Sequence, residues 1–382
     1  MNTAAVNRDS RSSGEQPGRL ISLDAFRGIT IIGMILVNNP GSWSHVYPPL
    51  LHAEWHGWTP TDLIFPFFLF IVGVAMSFSV VARLERGEER GRLFHKAIKR
   101  SLIIIALGLL LSAFPHFDLS VMRFPGVLQR IGVVYLLASI VVLSTGLRGQ
   151  VVVAGSLLLA YWALMDLVPV PEFGAGDLSA DGNLAAYVDR LVFGSHIWRE
   201  NWDPEGVLST VPAVSTTLLG VLTGGLLRSR REKVELAGWM FVLGWVGILV
   251  GLIWNSVFPI NKNLWTSSYV VFTAGAALHF LAVCYWLIDV KGWQKWAKPA
   301  VMFGMNAIAV FVLSGLVVKV LLWIRIPVAA GGDVSLYSWI YQHCFVPWAG
   351  PLNGSLAFAL TNILLWFGVM YVLYRRKIFI KI

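Results

Sequence analysis

Residues 62–82, DLIFPFFLFIVGVAMSFSVVA, decide the fold class. The run carries one charged side chain, Asp62 at its head, and is otherwise apolar apart from two serines, over a length that crosses a bilayer. A helix apolar all round has to lie in a protein core or in lipid. Nine further apolar runs, at roughly 24–43, 102–117, 126–143, 151–168, 208–227, 236–259, 265–289, 301–323 and 355–374, settle the choice for lipid. A segment at 336–348 is apolar but too short to span, and is expected at an interface. With 56% hydrophobic and 13% charged residues and a mean hydropathy of +0.67, an ordinary soluble domain is excluded. The expectation is an all-α polytopic membrane bundle of about ten transmembrane helices. It comprises a disordered cytoplasmic tail at 1–19 and one transmembrane domain over 20–382, with a long external loop at 169–207.

The basic residues orient this bundle. Arg8, Arg11 and Arg19 precede the first run, and Arg83, Arg86, Arg90, Arg92, Lys96, Lys99 and Arg100 fill the second connection. Arg148, then Arg228, Arg230, Arg231 and Lys233, then Lys291, Lys295 and Lys298 mark alternate connections, and Arg375, Arg376, Lys377 and Lys381 close the chain. The intervening loops hold almost no lysine or arginine, so both termini are expected in the cytoplasm and the number of spans is even. Topology thus accounts for the net charge of +9, and no basic–aromatic interleaving points to nucleic acid.

The segment from His52 to Asp62 and the loop 169–207 then face outward. That loop carries Glu172, Asp177, Asp181, Asp189, Glu200, Asp203 and Glu205 against Arg190 and Arg199. Such acids either form a funnel that concentrates a cationic ligand, such as an amine, or merely decorate a solvated loop. Two cysteines, Cys284 and Cys344, make no disulfide framework. The Ser/Gly/Arg-rich start of the chain lacks a small-residue cleavage site, so the first run is expected to be a retained span.

Chemistry is concentrated in a few positions. His52 and His56 have the i, i+4 spacing of a metal pair. The zincin order His-Glu-x-x-His is not met, because Glu54 stands third, and no metal is expected. A histidine is well suited as a base or nucleophile near neutrality. Asp62 can either orient such an imidazole through its second nitrogen or complement the dipole at the start of the second span. Asp24 and Arg27, at i, i+3, are expected to pair at the membrane edge. Arg130 lies a turn inside the fourth span and needs a carboxylate or an anionic ligand, for which phosphate is a candidate. Lys319 is expected to snorkel, and His279 to be a satisfied interior histidine. The turn Asn261-Lys262-Asn263-Leu264-Trp265 offers amide and ammonium groups suited to sugar hydroxyls. The 17 tryptophans fit interfacial belts and sugar stacking equally.

Several pieces together resemble a known family. They are Arg19-Leu-Ile-Ser-Leu-Asp24-Ala-Phe-Arg27-Gly28, His52-Ala-Glu-Trp-His56-Gly-Trp-Thr-Pro-Thr-Asp62, Pro125-Gly-Val-Leu-Gln-Arg130, Asp203-Pro-Glu-Gly206, Pro259-Ile-Asn-Lys-Asn-Leu-Trp265 and Gly304-Met-Asn306. The chain resembles the heparan-α-glucosaminide N-acetyltransferase family, lysosomal in animals and with bacterial inner-membrane relatives. The Leu-Asp-x-x-Arg-Gly piece is shared with other membrane acyltransferases, and specificity lies in the set.

The resemblance implies an enzyme that takes acetyl from cytoplasmic acetyl-CoA and delivers it across the membrane to the amine of a glucosamine unit. Its active-site histidine falls on His52, which Asp62 would orient. Asp203, Glu205, Asn261, Lys262, Asn263 and Trp265 would hold the sugar, and Asp24, Arg27, Asn38, Arg130 and Asn306 the acetyl-CoA. The short N-terminal segment makes a free amino sugar or a short glucosamine oligosaccharide the expected acceptor rather than heparan. A multi-pass protein of a bacterial inner membrane is implied, and a homo-oligomer is compatible with the residues. The rival is an amino-sugar transporter, which would need no histidine beside a thioester and no affinity for CoA.

Overall fold

The computed structural model describes residues 20–327 and 332–380. The tail expected at 1–19 lies outside them. The chain folds into α1 (Ile21–Asn38), α2 (Ile64–Met76), α3 (Ala82–Glu85), α4 (Arg90–Ala113) and α5 (Val127–Ser144). There follow α6 (Leu147–Leu167), α7 (Leu184–Phe193), α8 (Val207–Leu227), α9 (Lys233–Trp254) and α10 (Ser267–Tyr285). The last elements are α11 (Lys298–Met305), α12 (Ala307–Trp323), α13 (Leu336–Ile340) and α14 (Val346–Arg375). A short antiparallel ribbon, β1 (Arg325–Pro327) with β2 (Asp333–Ser335), joins α12 to α13.

This is an all-α polytopic membrane bundle. Among the described residues, eight helices are long and apolar enough to cross a bilayer, and α11 with α12, bent by 70°, form a ninth, broken span. The run expected to cross at 102–117 falls in α4, which is not among these spans: its first half bears Lys96, Lys99 and Arg100 while the rest is apolar. The break between α11 and α12 falls at Asn306, inside the run expected to be continuous over 301–323. The segment 336–348 is helical as well. It leads through a π-helical turn into α14 and is set off by Gly350, whose φ of 73° interrupts the helix. Only glycine adopts that angle without strain.

Large apolar side chains such as Val152, Leu159, Trp245, Ile253, Leu364 and Leu365 point out of α6, α9 and α14. In lipid this exposure is the solvated state of the side chain. Cohesion therefore comes from close packing between helices, which small residues permit. A Cβ on Gly73 of α2 would lie 1.9 Å from the Thr217 carbonyl oxygen of α8, and one on Gly220 would lie 2.1 Å from that of Phe70. The same device joins α1 to α11, where a Cβ on Gly28 would lie 1.7 Å from the Ala300 oxygen and one on Gly304 2.0 Å from that of Asp24.

Both described ends of the chain meet at one face of the bundle. Arg27 Nη1 donates to Asp24 Oδ1 at 3.0 Å, as the spacing predicts, and to the Gly304 carbonyl at 3.4 Å. The Asn306 side chain donates to the Ile378 carbonyl at 3.2 Å and accepts from the Ile380 N–H at 2.8 Å. The opposite face gathers the loops 39–59, 114–126, 168–206 and 255–266. Lys319 reaches the Phe114 carbonyl at 2.8 Å there rather than open water.

Candidate active site

The site is built on the loop between α1 and α2. Pro60 opens a 3₁₀ turn, Pro60–Leu63, that runs into α2, and Thr59 with Asp62 form a capping box across its start. The Thr59 N–H donates to Asp62 Oδ2 at 2.9 Å and the Ala53 N–H to the same oxygen at 3.0 Å. The other oxygen, Oδ1, lies 2.6 Å from His52 Nδ1. Both roles considered for Asp62 therefore occur at once, since one carboxylate starts the helix and holds the imidazole. Asp62 is almost fully buried, whereas the His52 side chain is 44% exposed. The Tyr269 hydroxyl of α10 donates to the Asp62 carbonyl from below.

An acceptor at Nδ1 places the ring proton there and turns the Nε2 lone pair away from Asp62. The geometry is thus that of an oriented base or nucleophile on the loop face.

A second loop closes over the first. In the turn after α9, the Asn261 N–H donates to Thr266 Oγ1 at 3.0 Å and the Leu264 N–H to Asn261 Oδ1 at 2.9 Å. Thr266 Oγ1 donates to the Pro259 carbonyl at 2.9 Å. Trp265 is buried with a left-handed backbone (φ 53°), and its indole N–H donates to Thr216 Oγ1 at 3.1 Å. Such strain in a bulky residue persists only where the surroundings over-determine it. The Gly57 N–H bonds the Ile260 carbonyl at 2.7 Å, tying the two loops together.

The outcome is that Lys262 Nζ stands 3.3 Å from both ring nitrogens of His52. Burial outweighs the pull of Glu205 and Asp62 and brings the Lys262 ammonium below the ordinary lysine range. His56 lies beside this pair, its Nδ1 3.4 Å from Asn261 Nδ2, and burial lowers its pKa too. Asn263 is half-buried in the same turn.

Three acids of the long loop, Asp189, Asp203 and Glu205, are engaged within the protein. Arg123 donates to Asp203 through Nε (2.8 Å) and Nη2 (2.6 Å), and Nη2 also binds Glu205. Asp203 additionally accepts from the Trp198 and Glu205 N–H groups at 2.7 and 2.8 Å. Burial works against the Arg123 charge, but the Asp203 bonds and the Glu205 charge more than offset it, so its pKa is raised. Asp189 accepts from the Val207 N–H at 2.8 Å, at the start of α8, where helix donors lack partners. Burial, with the nearby Asp203 charge, pushes its carboxyl up to about 7. Asp203 and Glu205 thus bind a cation of the protein itself, a different use from the sugar contact expected of them.

Among the described residues, no carboxylate forms an ion pair with Arg130. Its Nη2 donates to Ser209 Oγ and, at 3.3 Å, to the Gly206 carbonyl, while the guanidinium carbon lies 5.1 Å above the Trp265 ring. Of the expected acetyl-CoA residues, Asp24, Arg27 and Asn306 gather at the face of the chain ends. Asn38, at the far end of α1, and Arg130, at the start of α5, lie toward the opposite face. His279 remains away from the site, its Nδ1 2.9 Å from the Gly275 carbonyl and its ring edge against Trp245. Cys284 and Cys344 are both free. Among the described residues, no three His, Cys, Asp or Glu side chains come together as a metal site.

Sequence reasoning missed Thr59, Arg123 and Tyr269, and named Asp189 only as one of the loop acids. Thr59 carried a signal in its Thr-x-x-Asp spacing, the pattern of a capping box. The other three acquire their roles through partners 18 to 207 residues away.

Comparison with known proteins adds the family. A family model described as heparan-alpha-glucosaminide N-acetyltransferase, catalytic, matches residues 19–248, more than half of the chain. A human protein named heparan-alpha-glucosaminide N-acetyltransferase is 32% identical over 428 aligned positions, covering 96% of this chain and 60% of its own length. The mouse protein of the same name is 29% identical over 426 positions, covering 95% of this chain and 60% of its own. The chain therefore spans about 60% of the length of these relatives. The matched segment contains the His52–Asp62 pair, Arg123, Arg130 and the buried acids, and the chain belongs to the heparan-alpha-glucosaminide N-acetyltransferase family.

Proposed function

We propose that this chain is a transmembrane acetyltransferase. It moves acetyl from acetyl-CoA to the amine of glucosamine or a glucosamine-containing saccharide at the face bearing His52. The observation that carries this is the His52–Asp62 pair, with Nδ1 committed to a buried carboxylate and the imidazole 44% exposed on the loop face. The names of the relatives supply the reaction class. The positive-inside pattern places the chain ends in the cytoplasm, so the face of Asp24, Arg27 and Asn306 is where acetyl-CoA approaches. Asn38 and Arg130 then belong to the thioester end of its path. The membrane is a cytoplasmic one.

In this scheme His52 Nε2 takes the proton of the attacking amine, or accepts the acetyl group itself and passes it on. Asp62 holds the ring in the required tautomer and stabilises the imidazolium that forms. The turn 261–265 borders the outer side, where Asn263 meets the sugar, while Asn261 and the buried Trp265 hold the turn rather than contact the sugar as expected.

The test is transfer from radiolabelled acetyl-CoA to glucosamine by the purified protein in detergent, for wild type and His52→Ala. Labelled N-acetylglucosamine from the wild type alone is the expected result. No product across a panel of amino sugars, together with saturable CoA-independent uptake into vesicles, would overturn the assignment in favour of a transporter.

A further inference from the structure

Lys262 stands in a place that sugar recognition does not explain. Its Nζ is 3.3 Å from His52 Nε2 and the same distance from Nδ1, so it stands beside the ring of the base. A residue that only bound a hydroxyl would not need to approach the base so closely. The turn that carries Lys262 is also rigid, through Asn261, Thr266 and the buried Trp265.

Resting on the transferase reading, we propose that Lys262 is a catalytic residue whose ammonium receives the negative charge that develops on the acyl oxygen. The amine nitrogen bonds to the acyl carbon while its proton passes to His52 Nε2. The carbonyl electron pair moves onto oxygen, within reach of the three N–H donors of Lys262 on its flexible stem. The pair returns, the carbon–sulfur bond breaks, and the departing thiolate takes the proton from Nε2. Acetyl-CoA and amine thus become amide and CoA thiol, with no further reactant.

The charges around Lys262 fit this task. Asp62 and Glu205 attract its proton, from the His52 loop and from the stretch before α8, while Arg123 and Arg130 repel it from the α4–α5 connection and α5. His56 contacts the Asn261 side chain of the same turn. Because burial brings the Lys262 ammonium below the ordinary lysine range, its loss of a proton places a decline of kcat on the alkaline side.

The experiment is a kinetic comparison of wild type, Lys262→Met and Lys262→Arg over a pH series. Each protein is first shown to be monodisperse with an unchanged thermal midpoint. Lys262→Met is expected to lower kcat by about 10²–10³-fold, with KM for both substrates held within about threefold. Lys262→Arg keeps a cation that does not titrate, so it retains part of kcat and loses the alkaline decline. A methionine variant that changes only KM for the amine, or keeps full kcat, overturns the proposal. An arginine variant with the wild-type alkaline limb does the same. A wild type without product would sink the transferase reading and the Lys262 role with it, so the two failures are told apart.

Discussion

His52 Nδ1 and Asp62 Oδ1 lie 2.6 Å apart, and the second oxygen of the same carboxylate closes the capping box that starts α2. Orientation of the imidazole is therefore mechanically coupled to a membrane-spanning helix. The ring is held by an element that lipid and α8 pack in place.

Asp62→Asn should separate the two roles. An amide keeps one acceptor for the Thr59 and Ala53 N–H groups, which leaves its NH₂ facing His52 Nδ1 and favours the wrong tautomer. The expected outcome is a fall in kcat of about 10²–10⁴-fold in the acetyl-transfer assay. The thermal midpoint should change little. A variant with wild-type kcat would contradict the orienting role.

Arg123→Met leaves Asp203 and Glu205 buried beside a missing cation. Removing one partner from such a pair costs about 3–5 kcal/mol. We expect a markedly lower thermal midpoint in detergent, and partial recovery when Asp203→Asn is added. If the single variant melts like wild type, the cluster is not structural.

Asp189 makes stability pH-dependent. Its folded carboxyl titrates near 7, raised above its ordinary value. A raised value means the folded state holds the proton more tightly, so this contribution is complete below about pH 4 and is lost as pH rises through about 7. The thermal midpoint should therefore decline between pH 5 and pH 8 by more in the wild type than in Asp189→Asn, on the order of a few degrees. Parallel pH curves for the two proteins would count against it.

Gly73→Ala tests the α2–α8 contact. The new methyl would meet the Thr217 carbonyl oxygen at 1.9 Å, so the helices must separate. Overpacking of this kind costs about 1–3 kcal/mol. The measurement is thermal stability and yield of monodisperse protein, with Gly225→Ala, in open space on α8, as the control expected to behave as wild type.

Legibility followed the range of the interaction. The Asp24–Arg27 pair and the His52–Asp62 pair span 3 and 10 residues, and spacing alone made both plausible. Lys262 beside His52 spans 210 residues, and Arg123 with Asp203 spans 80. For those the sequence offered only an outward-facing loop and a set of acids. The acids looked like a funnel for a cationic ligand because loop composition counts charges without showing which are neutralised inside. The break at Asn306 was hidden for a related reason, since mean hydropathy over 301–323 is blind to a single residue whose side chain binds the chain's other end.

Sequence by itself determined that this is a helical membrane protein that crosses the bilayer many times. That follows from transfer of apolar length into lipid, which is local. Only the tertiary structure decided which polar groups in the loops are spoken for and which stand open at His52. That depends on how closely α2, α5, α8 and α10 pack, because helix contacts set to within an ångström by glycines and carbonyls determine which distant side chains come within hydrogen-bonding distance.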